Sequence, residues 1–234
     1  MSFKHRSYEA ELLDAEDIPT AQLYRNLLEL NTINTLLGGH NITLVGLKAF
    51  KLKQNKPYRI LDIGCGGGDN LRVLAIWARK HNLTLELVGV DLKQDCINYA
   101  KIQCKNFPEI SFITSDYRNL RGEDLNFDII FSALCCHHFA DHDLASLLAF
   151  KQANARLGFF INDLHRHSLA YFSIKWLTAI FSKSHLVKND APLSVKRGFR
   201  KQDWKHFLKP FPTSKVSWKW AFRWLVVVKN NEQS

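Results

Sequence analysis

A chain of 234 residues that is 46% apolar and 23% charged can bury one substantial core, which argues against disordered, collagen-like and low-complexity classes. Its five cysteines, Cys65, Cys96, Cys104, Cys135 and Cys136, are odd in number and lack paired zinc-ligand spacing, so they read as reduced small apolar residues of a cytoplasmic protein. The formal charge of +10 is uneven: residues 165–234 carry 14 Lys or Arg against 3 Asp or Glu, while residues 1–164 carry 18 against 19.

In chain order, the first residues turn acidic between Glu9 and Asp17 instead of entering an apolar stretch, so no secretory signal is expected. Pro19 suits a helix start. From Ala21 to Leu37 the residues Leu23, Leu27, Leu28, Leu30, Ile33, Leu36 and Leu37 recur at helical spacing until Gly38-Gly39. Residues 42–50 read as a second short helix and 51–57 as a basic linker. Strands are then expected at residues 58–63, 84–91, 110–114, 127–133, 156–163 and 218–228, with helices at 70–81, 94–104 and 142–155. Such alternation favours a mostly parallel sheet covered on both faces. The stretch from Asp163 to Trp218 is too long for one crossover, and helices are expected there at 168–181 and 202–208 with loop between them. The apolar residues of 169–181 are too few for a membrane span, which takes roughly 20.

Leu61-Asp62-Ile63-Gly64-Cys65-Gly66-Gly67-Gly68-Asp69 is the most informative segment: a hydrophobic strand runs through a glycine turn into a helical pattern. Glycines there let a ligand approach the backbone where a strand's carboxyl end meets a helix's amino end, the nucleotide corner of a doubly wound sheet. The dinucleotide fingerprint fails because its third glycine would stand at Asp69, and the phosphate loop fails because no Gly-Lys-Ser/Thr follows. Asp69 would repel a pyrophosphate, so a cofactor with a positive or zwitterionic end fits better. Leu87-Val88-Gly89-Val90-Asp91-Leu92 ends the next strand with a carboxylate that can accept both hydrogens of a vicinal diol. Phe112 to Tyr117 and Asp128 to Leu134 supply two further strand ends.

Together these four segments resemble the motifs of class I methyltransferases that use S-adenosylmethionine. The resemblance implies an α/β, Rossmann-like class I methyltransferase fold: a seven-stranded, mostly parallel sheet, its last strand antiparallel, with a helical substrate cover. It implies S-adenosyl-L-methionine as cofactor and S-adenosyl-L-homocysteine as product. Gly64, Cys65, Gly66 and Gly68 would lie against the methionine part, with Asp62 orienting the loop and reaching the amino group. Asp91 would hold the ribose, Asp116 the adenine amine, and Leu92 or Tyr117 a ring face; Ser132 and Ala133 would wall the pocket toward substrate. Residues 1–57 are expected to form a helical cover, and 58–234 the methyltransferase domain with a helical insertion at about 164–210.

A methyl group on a sulfonium needs a nucleophile brought in line and water excluded, and a histidine can take a phenol's proton. His137-His138 follow the fourth strand and His165-Arg166-His167 the fifth; His138 and His165 are the candidate bases, with His137 and His167 toward substrate. A metal would need all four histidines to converge without distinctive spacing, and none is expected. Glu11-Leu12-Leu13-Asp14, the runs Leu27 to Leu30 and Asn34 to His40, and the run Asn162 to His167 resemble bacterial methyltransferases of aromatic polyketide pathways. That resemblance implies phenols or quinols, often alkylated, as substrates, with Tyr24, Asn34, His40, Tyr171 and Arg200 as candidate wall residues. The expected partners are such a small aromatic or alkyl-phenolic molecule and, for the basic end, an acidic carrier protein or an anionic membrane surface, with peripheral membrane association. Nucleic acid is disfavoured, because the aromatic alternation of Trp218 to Trp224 also suits a half-buried strand and no Asn/Asp-Pro-Pro-Tyr/Phe motif occurs. Carbon methylation, RNA methylation and an inactive cofactor-binding adaptor stand as alternatives to oxygen methylation.

Overall fold

The computed structural model describes residues 3–15 and 17–230. Its central strand β1 (Tyr58–Ile63) pairs in parallel with β2 (Leu85–Asp91) on one side and β4 (Phe127–Ala133) on the other. β3 (Ile110–Thr114) continues the sheet beyond β2, and β5 (Ala155–Leu164) beyond β4. At the far edge β7 (Arg223–Lys229) runs antiparallel to β5 and carries β6 (Lys215–Lys219), giving the order β3-β2-β1-β4-β5-β7-β6. The expected sheet of seven mostly parallel strands is the one observed.

Near-continuous apolar strands arise because both faces of this sheet are buried. Ile60, Ile129, Phe131 and Phe160 point to one core, and their neighbours Leu61, Ile130, Phe159 and Ile161 to the other. Helices α2 (Gly39–Lys48), α3 (Asp69–Lys80) and α4 (Gln94–Gln103) cover the first face; α5 (Asp141–Asn154) and α8 (Lys201–Phe207) cover the second. Each large side chain so buried contributes roughly 1.5–3 kcal/mol. α2 lies so close to the sheet that a Cβ at Gly46 would come within 2.4 Å of the Phe160 ring. Over the carboxyl ends of the strands sit a short 3-10 turn at Leu12–Asp14, α1 (Thr20–Leu36), α6 (Ser168–Phe181) and α7 (His185–Arg197), with α7 touching the other three.

Two elements differ from the sequence expectation. Residues 218–228 do not form one strand. Backbone turns at Trp220 to Phe222, with Phe222 at φ 54°, and separates the hairpin strands β6 and β7; the aromatic alternation runs through the turn and so conceals it. The expected loop after residue 181 holds α7, with Pro192 inside it. An internal proline costs about 3 kcal/mol of helix propensity, which argues locally against a helix. Tertiary burial of Leu186, Val187, Leu193 and Val195 overrides it.

Candidate active site

Two cavities meet at the carboxyl ends of the central strands. One, of about 310 Å³, is floored by the glycine turn after β1 and bounded by Val90 to Lys93, Ser115 to Arg118 and Ala133 to Cys135. The other, of about 370 Å³, is largely apolar, with Leu13, Ile33, Leu164, Ile174, Leu177 and Val187 among its walls. Leu13, Leu30, Asn34, Leu134 and His138 line both. These five side chains are therefore the partition through which a group would pass from one cavity to the other.

The loop of the first cavity is built for close approach. Gly64 (φ 77°) leaves no room for a side chain, since a Cβ would sit 2.3 Å from Cys135 Sγ, and Gly68 (φ 71°) lets the chain turn into α3. Asp91 accepts the Gly66 N–H at 2.9 Å and the Lys93 N–H at 3.0 Å, so it shapes the loop as well as facing the cavity. Burial pushes the Asp91 carboxyl up, against the pull of those amides. Of the residues expected to hold the cofactor, Gly64, Cys65, Gly66, Leu92, Asp116, Tyr117 and Ala133 line this cavity, whereas Gly68 does not and stands at the helix start. Asp116 caps the following turn through the Arg118 N–H and pairs with Arg118 at 2.6 Å. Tyr117 is buried edge-on against Phe139 and Phe150.

Asp62 and Ser132 are placed differently. Both lie beneath the floor, with Asp62 1% and Ser132 0% exposed, and neither reaches the cavity. Fully buried Lys151 donates to Ser132 Oγ at 2.7 Å, and Ser132 donates to the Ile63 carbonyl at 2.8 Å. Burial pushes the Asp62 carboxyl well up while the Lys151 charge opposes it. The carboxylate that does enter the cavity beside the loop is Asp69. His40 Nε2 lies 2.6 Å from Asp69 Oδ2 and Asn34 Nδ2 donates to that oxygen at 3.5 Å. Burial opposes Asp69 ionisation, but the His40 contact outweighs it and holds the carboxyl below its usual range. Asn34 also accepts from Arg223 Nη2 at 2.8 Å, linking Asp69 to the second cavity.

The two histidine pairs do not converge. His137 and His138 line the second cavity, with ring centroids 4.3 Å apart. His137 Nδ1 is 2.8 Å from Asp163 Oδ1, and its Nε2 lies 3.8 Å from Glu11. His138 Nδ1 is 3.2 Å from Asp14, with Nε2 3.9 Å from Glu11. Burial works against ionisation of Asp163 and Asp14, but their histidine partners hold both carboxyls low, whereas burial leaves Glu11 raised. Donor atoms of Glu11, His137 and His138 all lie within 4.8 Å of one another.

His165, expected as a possible base, borders neither cavity. Its Nδ1 accepts the Trp218 indole N–H at 3.1 Å, and its ring packs against His167, Phe222 and Trp224; burial pushes it down to about 4. His167 accepts the Leu169 N–H as the cap of α6. Arg200, at the start of α8, and Tyr24, packed on Tyr99, also lie outside both cavities. Tyr171 packs behind the second cavity's wall against Phe3, and His40 reaches the first cavity only through Asp69. The offset of two that joins His165 to His167 simply places both on the hairpin side of the chain after β5.

Sequence reasoning assigned no role to Glu11, Asp14, Asp163 or Arg197, and read Asp69 only as an objection to a pyrophosphate. Arg197, buried on α7, donates to the carbonyls of His137 and His138 and to Asp14, while Arg6 donates to the His137 and Phe139 carbonyls. Asp190 accepts the Leu12 and Leu13 N–H groups at 2.9 Å each, so α7 fixes the turn bearing Glu11 and Asp14. A signal existed in the runs Glu11 to Asp14 and Asn162 to His167, where acidic residues sit beside residues already singled out. Which acid meets which histidine was not contained in either run.

Residues 60–158 match a family described as a methyltransferase domain. Ubiquinone biosynthesis O-methyltransferase of Bartonella tribocorum is 31% identical over 153 residues, covering 65% of this chain and 55% of that protein. The putative methyltransferase YqeM of Bacillus subtilis is 31% identical over 78 residues, 33% of this chain and 28% of YqeM. The chain spans about half the length of the ubiquinone-pathway relatives it matches first. Among solved structures, the plantazolicin methyltransferase BpumL in complex with SAH superposes with a TM-score of 0.64 at 20% identity, over 91% of this chain and 89% of the other. A SAM dependent methyltransferase from Aquifex aeolicus gives 0.61 at 15% identity, over 91% and 99%. At such identities the superpositions speak for the fold.

Proposed function

Because residues 60–158 match the methyltransferase-domain family and lie on a seven-stranded, mostly parallel sheet, we propose that the protein moves a methyl group from S-adenosylmethionine to a phenolic or quinol oxygen of a small aromatic or alkyl-aromatic substrate, leaving S-adenosylhomocysteine. The observation that carries this reading is the shared partition: His138, Asn34 and Leu134 face both cavities. The first cavity suits such a cofactor because Asp69 and Asp91 offer two carboxylates to a molecule bearing an ammonium, a sulfonium and a ribose diol. When bound, S-adenosylmethionine supplies an already electrophilic methyl. Asp91 accepts the ribose hydroxyls and Asp69 takes the amino group, the task that the buried position of Asp62 prevents. His138 accepts the substrate's hydroxyl proton at the partition, with Asp14 holding its other ring nitrogen; His137, oriented by Asp163, donates to or accepts from a second ring oxygen. Apolar walls receive an alkyl substituent and exclude water. Residues 1–57 and 164–210 act as the substrate cover, and the basic surface meets an acidic carrier or an anionic membrane.

The test is methyl transfer to a panel of phenols and hydroquinones, with the new methyl located by NMR. His138→Gln should lower turnover by about 10²–10⁴-fold with cofactor affinity retained, and lose less on a substrate already ionised at assay pH. His165→Gln should leave turnover near the parent value. A methyl found on ring carbon would move the reaction to the carbon-transfer alternative.

A second reading follows from the spacing of Glu11, His137 and His138, a donor set that suits a divalent ion. Persistence of activity after chelation excludes it; loss restored by added zinc or magnesium would replace the proton-transfer role of His138 with a ligand role.

A further inference from the structure

We propose that α6 and the β6–β7 turn form a docking face for an anionic lipid bilayer, and that the second cavity receives its alkyl-aromatic substrate through that face. The access route rests on the function proposed above, whereas the docking stands on the surface alone. Leu169, Phe172, Trp176 and Ile180 follow one another along one side of α6 and are 57%, 48%, 69% and 68% exposed. Phe181 at the helix end and Trp220 in the turn extend the patch. Large apolar side chains gathered in water are unfavourable unless something covers them, and an aromatic, branched stripe flanked by lysines suits the headgroup boundary of a bilayer. Exposed Lys175, Lys183 and Lys188 supply that flank, within a region carrying 14 basic against 3 acidic residues.

The other side of the same helix belongs to the cavity. Ser173, Ile174 and Leu177 line it, with Trp220 and Phe222 of the turn. Phe222 packs against the cluster of Ala170 and Tyr171 of α6 with Val195 of α7, so the turn lies beside these helices. Trp220 is both a wall of the cavity and largely exposed, which puts the mouth at the edge of the apolar stripe. An alkyl chain can pass from lipid into apolar walls there without crossing water. An acidic carrier protein would engage the lysines but leave the uncharged stripe unexplained, and a second copy of the chain would set basic surfaces against each other.

The full chain should sediment with vesicles of phosphatidylcholine mixed with phosphatidylglycerol, much less with phosphatidylcholine alone, and release as salt rises. Trp176→Ser/Ile180→Ser and Lys175→Glu/Lys183→Glu should each weaken vesicle binding by about tenfold or more, with unchanged melting temperature and unchanged turnover of a water-soluble methylhydroquinone. Turnover of a long-chain alkylhydroquinone held in the vesicles should fall in both variants. Failure to bind mixed vesicles, binding indifferent to both variants, or a dimer that Trp176→Ser dissociates would overturn the docking face. Normal turnover of the vesicle-held substrate by non-binding variants would overturn the access route. If neither hydroquinone is methylated, the proposed reaction fails while sedimentation still decides the docking.

Discussion

At the residue scale, single atoms decide what the first cavity can hold. Asp91 already spends two acceptor positions on the Gly66 and Lys93 amides, so its replacement should disturb both the loop and any bound diol. Asp91→Ala should raise the dissociation constant for S-adenosylhomocysteine by roughly 10- to 100-fold, the equivalent of about 1.5–3 kcal/mol for a charge-assisted hydrogen bond; calorimetry on both proteins checks it. Gly64→Ala tests the close approach. Its backbone has φ 77° and its Cβ would overlap Cys135 Sγ, so the variant should lose about 1–3 kcal/mol of stability through backbone strain and bind cofactor poorly, as denaturant titration would show. Asp69 is legible in the sequence only as an objection to pyrophosphate; its value as an acceptor comes from its place at the helix start with His40 and Asn34 beside it.

At the element scale, α7 explains how a segment near the start of the chain becomes part of the site. Asp190 caps the Leu12–Asp14 turn, and Arg197 clasps the His137-His138 turn from the same helix. Asp190→Ala leaves two backbone donors without their acceptor, which costs about 1–3 kcal/mol where they stay buried. The variant should release the first 15 or so residues to proteolysis and lower turnover through misplacement of Glu11 and Asp14, with cofactor affinity little changed; limited digestion and single-turnover assays read the two effects separately. The hairpin β6–β7 shows the converse lesson. Its aromatic alternation reads as strand throughout, and only the turn at Trp220 to Phe222 makes it two.

At the scale of the molecule, five buried or half-buried thiols set the response to alkali. Burial raises all five, with Cys96 and Cys136 pushed up to about 12. For an acid raised on folding, the unfolded chain ionises first, so stability present below about pH 9 is lost as pH climbs, by up to about 1.4 kcal/mol per thiol for each pH unit. Lys151, pushed down to about 8 by burial, acts in the opposite sense between about 8 and 10.5, because there the unfolded chain binds the extra proton. The thiols outnumber it. The urea midpoint under reducing conditions should fall between pH 8 and pH 10, and Cys136→Ala should make that fall shallower than in the parent.

Local pattern was enough to establish the alternating strands, the glycine turn and the carboxylates at successive strand ends, because each is written in neighbouring residues: buried strands must be apolar, tight turns need glycine, and a strand end places its last side chains in the crevice. The mostly parallel sheet followed from the alternation of those elements, whereas the kind of cofactor was implied by the resemblance of the four segments to class I methyltransferase motifs. Tertiary structure alone decided which carboxylate enters the cavity, Asp69 or Asp62, since one turn of loop separates a wall from a buried floor. It also decided that His138 and not His165 stands at the partition. Both histidines follow strands, but His165 is drawn into the hairpin's aromatic cluster, while His138 is held by Asp14 and Arg197 from segments 124 and 59 residues away in the chain. Contacts of that separation carry no periodic trace in the sequence; they exist only once α7 has folded, against its own proline, over the ends of the strands.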